Sequence, residues 1–158
     1  MAEYGAAPGP VKKWLVHSPA YLYKWRLGRV FGERFLMIEH RGRKSGTPYT
    51  TVLEVAGRTD AGEYVSTAGR GPRSDWYRNL QANGVDAVWI GSKRHEAELR
   101  FLDAQESAQI FEIYEAKYPK TAAKLMAVMD VSHDGSDSSR QAMAEKIPMV
   151  AFALSAEA

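Results

Sequence analysis

Short segments of β-type sequence that follow one another closely constrain the fold of this 158-residue chain more than any other feature. Apolar runs, or alternation of apolar with polar residues, mark six of them, at residues 34–40, 48–57, 62–69, 85–91, 94–103 and 147–154. Most of their connections are too short for the crossover that parallel strands require. The sequence therefore predicts an α+β fold with a mostly antiparallel sheet, in which six strands close a small barrel and the helices pack outside it.

Helical spacing of apolar residues indicates where the helices lie. One short helix is predicted over residues 74–84, and a longer helical region follows Asp103 and is divided at Pro119. The polar stretch 132–140 is predicted to be a loop. Residues 1–33 are expected to form a helical arm that precedes the core.

Chain length and residue types favour one domain, residues 1–158, with the arm at 1–33 and the core at 34–158. The absence of cysteine excludes disulfides, thiolate metal sites and cysteine nucleophiles, and it is compatible with a reducing compartment. No apolar run approaches the roughly 18 residues of a membrane span, and the first residues lack the pattern of a signal peptide. A cytoplasmic location is expected.

The distribution of charge is more informative than its sum. The net charge of +2 is too small to favour nucleic-acid binding. Between residues 41 and 78, however, there are seven Lys and Arg residues and only four acidic residues. This pattern favours a local site for a small anionic ligand, and no nucleic-acid partner is expected.

A glycine-rich basic turn follows the first predicted strand. In the stretch 42–46, two glycines flank Arg43, Lys44 and Ser45, so that backbone N–H groups, fixed positive charge and a hydroxyl occur together. These groups suit a phosphate or a carboxylate. The spacing matches neither a P-loop nor a dinucleotide-binding motif. A solvated basic turn is the alternative.

A second basic turn, residues 66–76, follows the third strand and leads directly into a predicted helix. It carries Arg70 and Arg73 among glycines, and the N-terminus of a helix attracts anions through its free N–H groups. The two turns are predicted to share one anionic ligand. Alternatively, Arg70 and Arg73 pair with Asp75 and other surface acids.

The motifs at 42–48 (GRKSGTP), 50–55 (TTVLEV) and 75–83 (DWYRNLQAN) together resemble the deazaflavin-dependent nitroreductase family, within the split β-barrel flavin and deazaflavin oxidoreductases. The resemblance covers about residues 35–101 and, more loosely, 147–154. It implies a six-stranded split barrel and hydride transfer from the reduced deazaflavin coenzyme F-420 to a quinone, a nitroaromatic or another conjugated acceptor. The coenzyme supplies the hydride chemistry in such enzymes, so no catalytic triad is needed.

The resemblance also implies which residues bind the coenzyme. The basic turn would hold its phosphate, and the following strand, the second turn and the helix start would line the remainder. The residues concerned are Arg43, Lys44, Ser45, Tyr49, Thr50, Thr51, Thr67, Ala68, Gly69, Arg70, Asp75, Trp76, Tyr77, Arg78 and Asn79.

Two further groups of side chains have alternative interpretations. Tyr114 and Tyr118 lie four residues apart, so they share a helix face and either line the acceptor pocket as proton donors or pack in the core. The four histidines lack metal-ligand spacing, and no metal site is expected. Among them, only His40 precedes the basic turn closely enough to lie beside a ligand.

Other functions remain open at the level of sequence. Related split barrels bind FMN, and a phosphate-binding turn does not discriminate between the two coenzymes. A carrier that binds deazaflavin, flavin or haem without turnover is the alternative outside the enzymes. The resemblance makes a homodimer an expectation, and Lys12 and Lys13 give a weak indication of membrane contact.

Overall fold

A computed structural model describes residues 34–155, and these form an α+β fold with seven strands and four helices. The strands are β1 (Phe35–Arg41), β2 (Pro48–Arg58), β3 (Tyr64–Thr67), β4 (Ala87–Ile90), β5 (Lys93–His95), β6 (Ala97–Phe101) and β7 (Met149–Leu154). The helices are α1 (Asp75–Asn83), α2 (Ala104–Lys117), α3 (Pro119–Met129) and α4 (Asp137–Ala144). The predicted fold class is confirmed. The expected arm at residues 1–33 lies outside the described residues.

The chain divides into two compact units, and the first contains residues up to Val55, Asp75–Glu98 and the segment from Leu154 onward. Its strands follow the order β5-β4-β1-β2, with antiparallel pairing throughout. Because paired residues point to the same face of a sheet, the register that sets His40 opposite Tyr49 and Ile38 opposite Thr51 puts all four on one face. Helix α1 contacts β1. The basic turn, between β1 and β2, belongs to this unit.

The second unit contains Ala56–Ser74 and Leu99–Ala153. The end of β2 is followed in the strand order by β3, β7 and β6, and helices α2, α3 and α4 complete the unit. Its core is apolar and well buried, with Phe111 of α2 and Met149 of β7 each 1% exposed. This unit packs its own hydrophobic cluster.

The division of the second helical region at Pro119 is confirmed. Helix α2 ends at Lys117, and Pro119 occupies the first turn of α3, where its missing N–H costs no hydrogen bond. Among residues 34–155, none of the helices is long and apolar enough to cross a membrane.

The prediction of one strand over residues 94–103 is wrong. The segment divides at Glu96 into β5, which pairs with β4, and β6, which neighbours β7. A change of pairing partner interrupts the ladder, and the carbonyl of Glu96 instead accepts a hydrogen bond from the N–H of Ser155 at 2.9 Å. The alternating pattern continues through the break, which is why the sequence predicted six strands and the structure has seven.

The prediction of a loop over residues 132–140 is wrong for its second half, which forms the start of α4. The Ser136 side chain caps this helix by accepting a hydrogen bond from the N–H of Ser139. Met143 and Ala144 anchor its other end in the core, where each is almost fully buried. Tertiary burial of these two residues outweighs the weak helix propensity of the serines.

Removing the cap of α2 should destabilise the protein modestly. Asp103 Oδ1 accepts a hydrogen bond from the N–H of Glu106 at 2.8 Å, at the helix start that the sequence predicted. Asp103→Ala should lower the free energy of unfolding by about 1 kcal/mol, whereas Asp103→Asn should keep most of it, because asparagine caps as well as aspartate. Urea denaturation of the three proteins measures this, and equal losses in both variants would contradict a capping role.

Candidate functional site

The basic turn is closed by its own backbone. The N–H of Gly42 donates to the carbonyl of Thr47, and the N–H of Gly46 donates to the carbonyl of Gly42, each at 2.9 Å. Gly46 has a φ of 68°, a conformation that favours glycine. A Cβ atom at Gly42 would lie 2.7 Å from Ser45 Oγ and 3.2 Å from the Tyr49 ring. The backbone conformation thus favours glycine at position 46, and the close approach of two side chains favours it at position 42.

Arg43 attaches the turn to helix α1. Its backbone N–H and its Nη1 both donate to Asn79 Oδ1, at 3.1 and 2.9 Å, and its Nη2 donates to Asp75 Oδ1 at 3.0 Å. The Arg43 side chain is about three-quarters buried. Three of the predicted binding residues, Arg43, Asp75 and Asn79, therefore lie in one cluster whose hydrogen bonds fix the shape of the turn.

Lys44 and Ser45, unlike Arg43, are exposed. Within the described part of the chain, neither of their backbone N–H groups has a hydrogen-bond acceptor and the Lys44 ammonium has no ion pair, while Ser45 Oγ accepts from the N–H of Thr47 at 3.2 Å. Two N–H groups and an ammonium on consecutive exposed residues suit an anion that brings its own acceptor oxygens.

His40 lies directly behind the turn and is 3% exposed. Its Nε2 is 2.9 Å from Thr51 Oγ1, and its Nδ1 is 3.3 Å from Asn79 Nδ2. Burial lowers the pKa of His40 from 6.5 to about 4, against a smaller opposing effect of the Asp86 carboxylate. His40 is therefore neutral at physiological pH. The sequence indicated only its proximity to the turn.

An open groove of about 650 Å³ adjoins the turn within the first unit. Tyr49, which is half exposed, and Thr50 line it, whereas Thr51 does not line it and is buried, with its hydroxyl oxygen 2.9 Å from His40 Nε2. The other lining residues are Glu39, His40, Arg41, Pro48, Asp86 and Arg94. Of the three predicted strand residues, Tyr49 and Thr50 therefore line the groove and Thr51 does not.

Two ion pairs connect residues that line this groove. Arg94 Nη2 lies 3.0 Å from Glu39 Oε2, and Arg41 Nε lies 3.1 Å from Asp86 Oδ2. Trp89 Nε1 donates to the same Glu39 carboxylate. The sequence placed Arg41 in the basic stretch but predicted none of these five as a binding residue. The available signal was the opposite charges of Glu39 and Arg94, and of Arg41 and Asp86, in or beside neighbouring strands.

The remaining predicted residues of α1 differ in exposure. Trp76 and Tyr77 are buried with their rings edge to face, and burial raises the pKa of the Tyr77 phenol. Arg78 is exposed. Asn83, one turn after Asn79, donates to the carbonyls of Arg41 and Gly42 at 3.3 Å each. The spacing of the two asparagines by four residues was the available signal that one helix face carries them both.

The second basic turn belongs to the second unit as far as Ser74. Thr67 is half-buried, Ala68 and Gly69 are buried, and Arg70 is exposed. The N–H of Ala68 donates to the carbonyl of Pro148 at 2.8 Å. These four residues stay predicted coenzyme contacts, and sharing of one ligand by both turns stays a prediction.

Tyr114 lies in the hydrophobic core of the second unit, 4% exposed, with Phe111 and Tyr118 rings 5.9 and 5.6 Å away. Tyr118 is half-buried and packs against the same cluster. This placement favours the core-packing interpretation of the pair. Across residues 34–155 there is no group of three or more His, Cys, Asp or Glu residues that could hold a metal ion.

Three solved structures resemble the fold. An F-420-H(2) dependent reductase matches with a TM-score of 0.53 and 21% identity, over 77% of this chain and 96% of that one. A protein described as a domain-swapped dimer matches with a TM-score of 0.54 and 20% identity, over 91% and 100% of the two chains. A protein of unknown function from Agrobacterium tumefaciens matches with a TM-score of 0.54 and 16% identity, over 89% and 56%.

Sequence comparison identifies the family. A Mycobacterium tuberculosis protein named as a candidate F-420H(2)-dependent quinone reductase is 31% identical over 77 residues, which are 48% of this chain and 65% of that protein. The match thus spans slightly less than two thirds of that relative. Residues 23–130 match the family model described as F-420H(2)-dependent quinone reductase. The resemblance inferred from the three motifs, and F-420 as the coenzyme that it implies, are confirmed at the level of the family. This chain belongs to the F-420H(2)-dependent quinone reductase family.

Proposed function

We propose that this protein is a reductase that uses reduced coenzyme F-420 to reduce a small conjugated acceptor of the quinone type. The observation that carries the proposal is the basic turn, in which Lys44 and the N–H groups of Lys44 and Ser45 remain available on a backbone that Arg43 holds to α1. Family membership supports the choice of coenzyme.

The residues of the turn fit the chemistry of this coenzyme. Its phosphate provides acceptor oxygens and negative charge, which match the exposed ammonium of Lys44 and the two N–H groups. Because Arg43 and Asn79 already fix the turn, little ordering is required when the anion binds. The adjoining groove offers the Tyr49 ring and the Thr50 hydroxyl to the uncharged parts of the ligand.

The bound coenzyme supplies the hydride, and the protein supplies position and exclusion of water. The acceptor needs a proton as well. Tyr114 is a poor source because its ring is enclosed in the core. We therefore assign the proton to water, with the more exposed Tyr118 as the second candidate.

Coenzyme binding tests the proposal directly. Fluorescence titration with F-420, FMN and NADPH, at moderate salt, should give tight binding of F-420 alone. Reduced F-420 should then be oxidised in the presence of quinones. Preference for FMN, or a yellow protein with bound flavin, would instead favour the flavin enzyme.

The acceptor panel separates a reductase from a carrier. Binding without oxidation of reduced F-420 by any quinone, nitroaromatic or other conjugated acceptor would favour a non-catalytic carrier. Turnover of nitroaromatics at rates like those of quinones would extend the substrate class that we propose.

For the assembly we propose a homodimer, supported by the structural neighbour that is described as a domain-swapped dimer. Sedimentation of the full chain tests it, and a monomer at micromolar concentration would contradict it. The cytoplasmic location, the absence of nucleic-acid binding and weak membrane contact stay predictions from the sequence.

A further inference from the structure

A continuous path of hydrogen bonds connects the basic turn with strand β2 through two buried side chains. It runs from Arg43 to Asn79 Oδ1, from Asn79 Nδ2 to His40 Nδ1, and from His40 Nε2 to Thr51 Oγ1. His40 and Asn79 are 3% and 4% exposed, so water has little access to replace a lost partner.

The donors on this path determine the tautomer of His40. Asn79 Oδ1 accepts two hydrogen bonds from Arg43, and this fixes its amide with the Nδ2 donor toward the imidazole. His40 Nδ1 must therefore be unprotonated and accept. The ring proton then lies on Nε2, which donates to Thr51 Oγ1.

We propose that His40 is a positioning residue of the coenzyme site: its unprotonated Nδ1 holds the Asn79 amide in the orientation that fixes Arg43 and thereby the phosphate-binding turn. This inference rests on the proposed function. His40 itself acts on the turn through Asn79.

The surroundings of His40 are consistent with this role. The Tyr49 ring lies 5.9 Å away, centroid to centroid, and Asp86 is the charged group whose field acts on the imidazole. The nearest cation on the path is Arg43, and the Asn79 amide lies between it and the imidazole. A donor at the Nδ1 position would oppose the Asn79 NH₂ group, and the amide would turn and lose both hydrogen bonds to Arg43.

Two amide substitutions separate the two halves of the path. In His40→Asn the side-chain oxygen takes about the place of Nδ1 and retains the contact with Asn79. In His40→Gln the side-chain nitrogen takes about the place of Nε2 and retains the contact with Thr51. Both variants remove the ring, so they share any general loss of packing.

The first measurement needs no ligand. Hydrogen exchange at the backbone N–H of Arg43, which donates to Asn79 Oδ1, should become about tenfold faster in His40→Gln and stay near the wild-type rate in His40→Asn. The ¹⁵N chemical shifts of the His40 imidazole should also show that Nε2 is protonated and Nδ1 is unprotonated. Equal exchange in both variants, or a proton on Nδ1, would overturn the positioning role.

The second measurement compares coenzyme F-420 with its ribityl chromophore lacking the phosphate. His40→Gln should bind the coenzyme about tenfold more weakly than His40→Asn, while the phosphate-free chromophore should bind both alike. Equal weakening toward both ligands would overturn the inference. A wild-type protein that binds no F-420 would overturn the proposed function instead, and exchange at Arg43 would still decide the role of His40.

Discussion

Lys44→Ala is expected to weaken binding of coenzyme F-420 by about 10- to 100-fold, which corresponds to the 1.5–3 kcal/mol of a hydrogen bond to a charged group. Lys44 is exposed and forms no ion pair within residues 34–155, so its ammonium is available to the phosphate. For the same reason the fold should be unaffected. Fluorescence titration gives the affinity, and thermal unfolding checks the stability.

Two further variants test whether the loss of affinity comes from the positive charge at position 44. Lys120→Ala removes an exposed lysine from α3 of the second unit and should leave the affinity unchanged. Lys44→Arg should restore most of the affinity because it restores the charge. Higher ionic strength should reduce the difference between wild type and Lys44→Ala, since salt screens exposed charges. An affinity of Lys44→Ala equal to wild type would remove this residue from the phosphate site.

Lowering the pH from 7 to 4 should cost the folded protein about 3 kcal/mol through His40 alone. The pKa of His40 is lowered from 6.5 to about 4 in the folded state because burial disfavours the charged ring. Between these values the unfolded chain binds a proton that the folded protein does not. The contribution of His40 is therefore fully present above pH 6.5 and is lost as the pH falls toward 4.

A comparison with His40→Asn isolates this contribution, because asparagine does not titrate. Urea denaturation at pH 7 and pH 4 should give a smaller loss of stability in the variant than in the wild type. NMR titration of the imidazole in the folded protein should have its midpoint near 4. A midpoint near 6.5, with equal losses in the two proteins, would show that burial does not keep His40 neutral.

The fold could largely be predicted from local pattern. Alternation and apolar runs identified the strands, and Asp103 and Pro119 marked the boundaries of α2 and α3, since caps and proline act on adjacent backbone groups. The two wrong predictions concern segments in which tertiary contacts override the structure that the local sequence pattern favours. One alternating segment changes partners at Glu96, and one polar segment becomes helical because its end is buried.

The sequence predicted which residues belong to the candidate site better than it predicted how those residues contact one another. The sequence grouped Arg43, Lys44 and Ser45 as three equivalent contacts of an anion. In the structure only Lys44 and Ser45 remain exposed, and Arg43 is occupied by Asp75 and Asn79. These partners lie 32 and 36 residues away along the chain, beyond the range of any turn or helix pattern.

Local sequence was sufficient for the antiparallel α+β class, the basic turn and the family, because periodicity, glycine positions and motif spacing act over a few residues. Three features could be recognised only in the folded chain. They are the different roles of Arg43 and Lys44 in the turn, the neutral state of His40, and the groove beside Tyr49. Each depends on burial and on hydrogen bonds that form only when β1, β2 and α1 are packed together. The physical reason is that a side chain's charge state and free donors follow from its neighbours in space, which the spacing of residues along the chain does not specify.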